Sequence, residues 1–236
     1  MMSASGCQVA VISPTYNEAG NIADLIARLG AVLEPFPYEI IIVDDDSPDR
    51  TWERAEEIAA CDPRIRVIRR RGERGLSSAV LAGMAVARAD VFVVIDADLQ
   101  HDERLVPAMM ARVVGGDDLC VGSRRAPGGG YGKWSRRRRL ISDGAAFLAR
   151  RVTGTAISDP MSGFFAIDRG HYERCLPIID ALGFKILLEF SCRHQPRAIS
   201  ELGYVFRPRQ WGETKLSARV AWDFLRQLRS LRTRAG

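Results

Sequence analysis

Val91-Phe92-Val93-Val94-Ile95-Asp96-Ala97-Asp98-Leu99-Gln100-His101 changes character halfway along its length. Its first five residues are apolar and mostly β-branched, as in a strand covered on both faces, and two carboxylates separated by one alanine follow at once. The acids therefore stand at the carboxyl end of the strand, which in an open α/β sheet is the ligand-binding edge. Paired acids there suit a hard divalent cation, with Gln100 as a neutral oxygen ligand close by. Capping of a helix that begins near Glu103 would use Asp96 and Asp98 equally well, so neighbouring strands must decide.

Upstream, Val9-Ala10-Val11-Ile12 reads as a short strand ended by Ser13-Pro14-Thr15-Tyr16-Asn17-Glu18. An amphipathic helix opening at Asn17 or Gly20 carries Leu25, Ile26, Leu29 and Leu33 and stops at Pro35 and Pro37. Tyr38 to Val43 is a second strand, broken by Asp44-Asp45-Asp46-Ser47-Pro48-Asp49. A helix from about Thr51 to Ala60, a strand Ile65 to Ile68 and a helix Leu76 to Ala87 lead back to Val91. This βαβαβαβ alternation requires a parallel sheet with helical crossovers, its strands ending on one edge. Pro14, Tyr16 and Glu18, then Asp44 to Asp46, then Asp96 and Asp98 converge there. Turn and cap chemistry explains each group singly; their convergence points to a shared binding site. The first turn holds neither G-x-G-x-x-G nor G-x-x-x-x-G-K-[ST], which argues against a dinucleotide or P-loop mechanism. A nucleotide here would be held by base and ribose through Tyr16, Glu18 and the Asp44–Asp46 loop, its phosphates on a metal at Asp98.

Downstream, a helix Glu103 to Val114 and a strand Asp118 to Gly122 lead to Ser123-Arg124 and a glycine-rich segment, Pro127 to Gly132, expected to be mobile. Arg136 to Arg139 introduce a helix bearing Leu140, Ile141, Phe147 and Leu148. Four arginines suit a solvated face, a nucleic-acid tract or an anionic head group; the lack of interleaved aromatics disfavours nucleic acid. Asp159 to Phe165 is a turn entering a strand, and Lys185 and Glu189, one helical turn apart, read as a surface ion pair. A strand from Ala198 to Phe206 precedes the basic loop Arg207 to Leu216, whose composition suits closure over a pyrophosphate. The last helix, about Ser217 to Arg232, is basic and amphipathic, a pattern found both on domain surfaces and in membrane head-group regions.

With 236 residues, 47% hydrophobic and 27% charged, the chain can bury one substantial core. The net charge is +5, and Lys133, Lys185 and Lys215 are the only lysines, so the cationic surface is made of arginine forks suited to phosphate. The five cysteines are widely spaced without C-x-x-C pairs, arguing against a disulfide framework or zinc site and for a reducing cytosol. No signal peptide is read at Met1 to Val11, and no apolar run approaches the roughly 20 residues of a membrane span. The expectation is a soluble protein or one that lies on a membrane.

Taken in order, Pro14-Thr15-Tyr16-Asn17-Glu18, Val43-Asp44-Asp45-Asp46-Ser47-Pro48-Asp49, Gly75-Leu76, Asp96-Ala97-Asp98-Leu99-Gln100-His101, Gly122-Ser123-Arg124, Ser162-Gly163-Phe164 and Gly212-x-x-Lys215-Leu216 resemble the dolichol-phosphate mannose synthase family. These are GT-A-fold inverting glycosyltransferases of the family 2 type, and the likeness runs from Val9 to about Leu216. It implies an α/β, Rossmann-like fold with a mostly parallel central sheet flanked by helices. Residues 1–102 would form a nucleotide-binding half, 103–216 an acceptor-side half, and 217–236 a basic amphipathic helix.

The resemblance also implies transfer of mannose from GDP-mannose to a polyprenyl (dolichyl) phosphate, using Mg²⁺ or Mn²⁺. By motif, Pro14, Tyr16, Glu18, Val43 and Asp45 would hold the nucleoside, Asp96 and Ala97 would line the sugar-nucleotide site, and Asp98 and Gln100 would bind the metal. Arg209 and Lys215 would reach the donor phosphates, while Arg124, Arg138 and Ser142 would receive the acceptor phosphate; Asp96, Asp98 and Arg124 form the expected catalytic set. The chain departs from the family at Arg50, where glycine is frequent, at Arg74, and at Pro160-Met161. Many members continue into transmembrane helices, so here the Arg136–Arg139 region and the final helix, or a separate anchor protein, would supply contact with the cytoplasmic face of a membrane.

Inverting attack by a hydroxyl needs a general base, whereas a lipid phosphate with a second pKa near 6 is already largely dianionic. Many arginines and only three histidines, His101, His171 and His194, favour the phosphate acceptor. Another nucleotide sugar such as UDP-glucose, or a hydroxyl acceptor, is the alternative; a purely binding, non-enzymatic module is the more distant one.

Overall fold

The computed structural model describes residues 7–180, 185–209 and 218–233. Four strands form a parallel half-sheet: β1 (Val9–Thr15) between β2 (Tyr38–Asp44) and β4 (Val91–Val94), with β3 (Ile65–Arg69) outside β2. The register sets Thr15 opposite Asp44 and Ile12 opposite Val94, so the loops after β1, β2 and β4 leave from one edge. Beyond β4 the same sheet continues through β6 (Phe165–Asp168), antiparallel to β4 and to β5 (Leu119–Ser123), and ends at β7 (Ile199–Gly203), parallel to β5. The full order is β3-β2-β1-β4-β6-β5-β7, and one sheet runs through both halves of the chain.

Strand side chains alternate between two cores. Val9, Val11, Ile40 and Ile42 pack with α1 (Ile22–Leu33), α2 (Thr51–Ala59) and α4 (Val106–Val114). Ala10, Ile12, Ile41, Val43, Phe92 and Val94 pack with α3 (Leu76–Val86), α6 (Arg169–Cys175) and α7 (Ile186–Cys192). Helix α5 (Arg136–Thr153) touches α8 (Ala218–Thr233), and a small third core joins Ala149, Leu188, Leu228 and Leu231.

Several expectations shift. Helix α1 begins at Ile22, because Asn17 is left-handed (φ 60°) and the Asn21 and Ile22 amides close a turn onto the Glu18 carbonyl. The helix near Glu103 opens as a 3-10 turn capped by Asp102, which accepts from the Arg104 amide, so Asp96 and Asp98 are not its caps. Helix α6 escaped the sequence reading: it is seven residues long, polar, and capped by Asp168. The glycine-rich segment is pinned rather than free: Gly130 exchanges backbone hydrogen bonds with Tyr204 and Phe206 at 3.0 and 2.9 Å. A Cβ on Gly203 would lie 2.1 Å from the Pro127 carbonyl oxygen, a contact only glycine permits.

Candidate active site

A cleft of about 1310 Å³ opens along the carboxyl edge of the parallel strands and extends to α5, α7 and α8. At its β1–β2 end the three aspartates divide their work. Asp44 is buried and accepts from Thr15 Oγ1 (2.7 Å), the Ser47 amide (2.8 Å) and Ser47 Oγ (2.6 Å), while Ser47 Oγ accepts from the Asn17 amide (3.0 Å). It ties the β1 and β2 loops together. Asp46 pairs with Arg69 at 2.6 Å. Asp45 lines the cleft, one oxygen taking Arg70 Nε at 2.7 Å and the other the Gly75 amide at 2.9 Å.

Pro14, Tyr16 and Glu18 line the same end. Tyr16 is fixed by Arg74, which donates to its hydroxyl at 2.8 Å and lies 4.6 Å over its ring. Glu18 accepts from Asn21 Nδ2 at 2.7 Å. Val43 is a correction: its side chain is wholly buried in the core beneath α3, facing Gly83, and does not reach the cleft. Sequence reasoning missed Arg74 and Ser78 as lining residues and assigned no role to Gly75. Gly75, with φ 151° at the start of α3, was the available signal.

After β4 the chain turns sharply, with Leu99 left-handed at φ 58°. Asp98 accepts from the Gln100 amide (3.2 Å) at one oxygen and from Arg209 Nη2 (2.7 Å) at the other. Gln100 donates through Nε2 to the Arg207 carbonyl (2.9 Å), leaving its side-chain oxygen as the atom that can ligate. The Asp96 carboxyl lies deep in the cleft yet is 35% exposed to it. Desolvation by the surrounding protein raises its pKa, opposed chiefly by His101. A Cβ on Gly163 would come within 2.5 Å of Asp96 Oδ2, so the Ser162-Gly163-Phe164 turn needs glycine where it meets the acid. His101 stacks on Phe164 with centroids 5.3 Å apart, and burial lowers its pKa. Its Nδ1 accepts from the Asp96 amide at 3.4 Å and its Nε2 stands 3.9 Å from the Asp96 carboxylate, so the ring braces the turn that carries the acid.

Among the described residues no three or more His, Cys, Asp or Glu side chains gather as a self-sufficient metal cage. One carboxylate and one amide oxygen, Asp98 and Gln100, instead fit a hard cation that completes its shell with phosphate oxygens and water.

The opposite wall is cationic. Arg124 and Asp159 are both buried and form a forked pair, Nε to Oδ2 and Nη2 to Oδ1, each 2.7 Å. Burial alone would raise the Asp159 pKa, but hydrogen bonds and charge from Arg124 outweigh it and hold the carboxyl below its usual range. Arg124 thus borders the cleft with much of its fork already committed. Arg138, on the first turn of α5, lies 3.8 Å over the Trp134 ring and has no carboxylate partner among the described residues. Burial lowers its pKa, helped by repulsion from Arg209 and Arg124. Ser142 follows on the next turn of the same wall. Lys215 lies outside the described residues. The expected Lys185–Glu189 surface pair does not form: Glu189 and Arg193 make a buried pair at 2.8 Å, and Lys185 Nζ donates to the Met161 carbonyl at 3.0 Å.

A parallel half-sheet without a phosphate-binding glycine loop, with carboxylates on its strand ends and arginines across the cleft, has the architecture of the GT-A fold. The sequence profile of glycosyl transferase family 2 matches residues 10–176, and the chain belongs to that family. It is 42% identical over 223 residues to the dolichol-phosphate mannosyltransferase of Pyrococcus furiosus, covering 94% of this chain and 62% of that protein. The chain thus spans less than two thirds of that relative. Against the dolichol-phosphate mannosyltransferase of Saccharomyces cerevisiae the identity is 41%, with 95% of this chain and 86% of the relative covered. Against the polyprenol monophosphomannose synthase of Mycolicibacterium smegmatis the values are 34%, 88% and 80%. Among solved structures, glucosyl-3-phosphoglycerate synthase from Mycobacterium tuberculosis, in complex with Mn²⁺, UDP and glucosyl-3-phosphoglycerate, superposes with a TM-score of 0.70. At 21% identity, with 98% of this chain and 81% of that one covered, it shares the fold.

Proposed function

We propose that this glycosyltransferase moves mannose from GDP-mannose to a polyprenyl phosphate, with inversion, giving a polyprenyl-phosphate-mannose. The observation that carries the reading is Arg138: a cation 3.8 Å over the Trp134 ring, without a carboxylate partner among the described residues, in the same cleft as Asp98 and Arg209. That placement provides for a second anion beside a nucleotide diphosphate. The names of the relatives above, mannosyl transfer to dolichol phosphate or polyprenol phosphate, support the same acceptor class.

In this reading residues 1–102 hold the nucleotide and 103–216 receive the acceptor. Pro14, Tyr16, Glu18 and Asp45 form the nucleoside end, Asp96 and Ala97 line the sugar, and Asp98 with Gln100 would hold Mg²⁺ or Mn²⁺. The ion, when bound, would neutralise charge developing on the departing diphosphate. Arg209 faces that diphosphate; Lys215, expected from the sequence to join it, lies outside the described residues. Arg138 and Ser142, with the free edge of Arg124, orient the acceptor phosphate so that its oxygen attacks opposite the leaving group. A dianionic phosphate needs no general base, in keeping with the braced state of His101.

Among the described residues no helix is long and apolar enough to cross a membrane. Leu140, Phe147, Trp222 and Leu225 are nevertheless exposed on the adjoining helices α5 and α8, among arginines. We assign peripheral contact with an anionic membrane, on its cytoplasmic face, to this surface.

The test is transfer of radiolabelled mannose from GDP-mannose to a short polyprenyl phosphate with Mn²⁺. Asp98→Ala should abolish it. Arg138→Ala should raise the apparent KM for polyprenyl phosphate about tenfold or more with little change for GDP-mannose. Equal effects on both substrates, or transfer to a glycan hydroxyl without lipid phosphate, would reject the acceptor assignment.

A further inference from the structure

Lys185 closes the cleft on the Asp96 side, at the start of α7 and among Met161, Ser162 and Gly163. Burial disfavours its charged form, and Asp96 is the group that does most to keep it protonated. An ammonium carries three donors. Among the described residues one is taken, by the Met161 carbonyl at 3.0 Å, and the others remain for a ligand. The Gly163 backbone packs directly against the Asp96 carboxyl, Lys185 bonds to Met161 two residues earlier in the same turn, and no ion pair joins Asp96 to Lys185 among the described residues.

A donor-only cation and an acceptor-only carboxylate that line one end of a cleft without pairing complement hydroxyls, which both donate and accept. A phosphate fits the position poorly, because Asp96 would repel it. The cations suited to phosphate stand elsewhere: Arg209 bonds to Asp98, and the charges that act on Arg138 are those of Arg209, Arg124 and Asp98.

We propose that Lys185 binds the transferred sugar, its ammonium donating to one hexose hydroxyl while the Asp96 carboxylate accepts from another. This rests on the reading of the cleft as a sugar-nucleotide site and adds a residue to its sugar end.

The experiment is calorimetric titration, with Mn²⁺ present, of wild-type protein, Lys185→Met and Lys185→Arg against GDP, GDP-mannose and the monodeoxy GDP-mannoses. UDP and UDP-glucose with its deoxy analogues serve if wild type prefers that donor. A hydrogen bond to a charged group makes its loss about tenfold or more in affinity. Lys185→Met should therefore weaken the sugar nucleotide about tenfold or more and leave the free nucleoside diphosphate within about twofold. One monodeoxy donor should bind wild type correspondingly weakly and lose nothing further in Lys185→Met, whereas Lys185→Arg should recover part of the affinity.

Equal weakening of diphosphate and sugar nucleotide, or deoxy penalties that survive unchanged in Lys185→Met, would overturn the assignment. Should Lys185→Met fail to fold, the deoxy series on wild type decides: if no single hydroxyl matters, the proposal fails. Failure of the wider reading looks different. Wild type would then bind sugar nucleotide but transfer nothing to polyprenyl phosphate, and the titrations would still settle Lys185; if wild type bound neither sugar nucleotide, both would fall.

Discussion

Asn17, Asp46, Arg50 and Leu99 adopt left-handed backbone, with φ of 60°, 53°, 63° and 58°, in the loops that follow β1, β2 and β4. Asn and Asp tolerate that region; Arg and Leu do so at a cost of about 1–2 kcal/mol. Arg50 gains little in return, for its side chain is 74% exposed and its contact with Glu53 is a surface ion pair at 3.5 Å. Arg50→Gly should raise unfolding stability by about 0.5–1 kcal/mol in urea titrations without changing transfer. Gly163 is the opposite case. Gly163→Ala would push a methyl against Asp96 and should lower transfer about tenfold or more, with a small shift in Tm, when both are measured on one preparation. At this scale the acids were legible, because period and position name a strand end. Val43 was not: its pleat parity sends the side chain under α3. The pairing of Glu189 was not either, since Lys185 and Arg193 are both four residues away and only burial chooses between them.

Helix α8 is latched to its neighbours by tertiary contacts. Gln227 donates to the Lys185 carbonyl at 3.0 Å and to Glu189 at 3.3 Å, Arg193 donates to Ser230 at 3.1 Å, and Leu228 and Leu231 enter the core shared with α5 and α7. Removing one partner from such a buried network costs about 1–3 kcal/mol. Gln227→Leu should therefore speed amide hydrogen exchange in α8 and α7 while β1, β2 and β4 keep their protection; uniform acceleration would place the latch elsewhere. The parallel strands were readable because each is a short apolar run stopped by polar turn residues. Helix α6 was not, being too short and polar for periodicity to register. The glycine-rich segment was misjudged because its backbone bonds to residues some 75 positions downstream, as Gly130 to Tyr204 illustrates.

Across the whole molecule the cleft is assembled from distant parts: Gln100 reaches the Arg207 carbonyl and Arg124 reaches Asp159. Motif order announced that these segments belong together, but only folding sets which arginine is committed and which stays available. Helix α5, which borders the acceptor wall, carries Leu140 at 74% and Phe147 at 71% exposure, and the adjoining α8 carries Trp222 at 63%. Replacing Leu140 and Phe147 together by Glu should reduce co-sedimentation with phosphatidylglycerol vesicles severalfold and leave transfer to a short, dispersed acceptor nearly unchanged. Undiminished sedimentation would remove this face from the membrane.

Helix α8, which places Asp223, Arg226, Gln227 and Ser230 around the cleft, supplies a wall that the sheet itself does not. Were α8 to lift away, the acids and most of the cleft's arginines would still surround the furrow, but one flank of it would stand open to water.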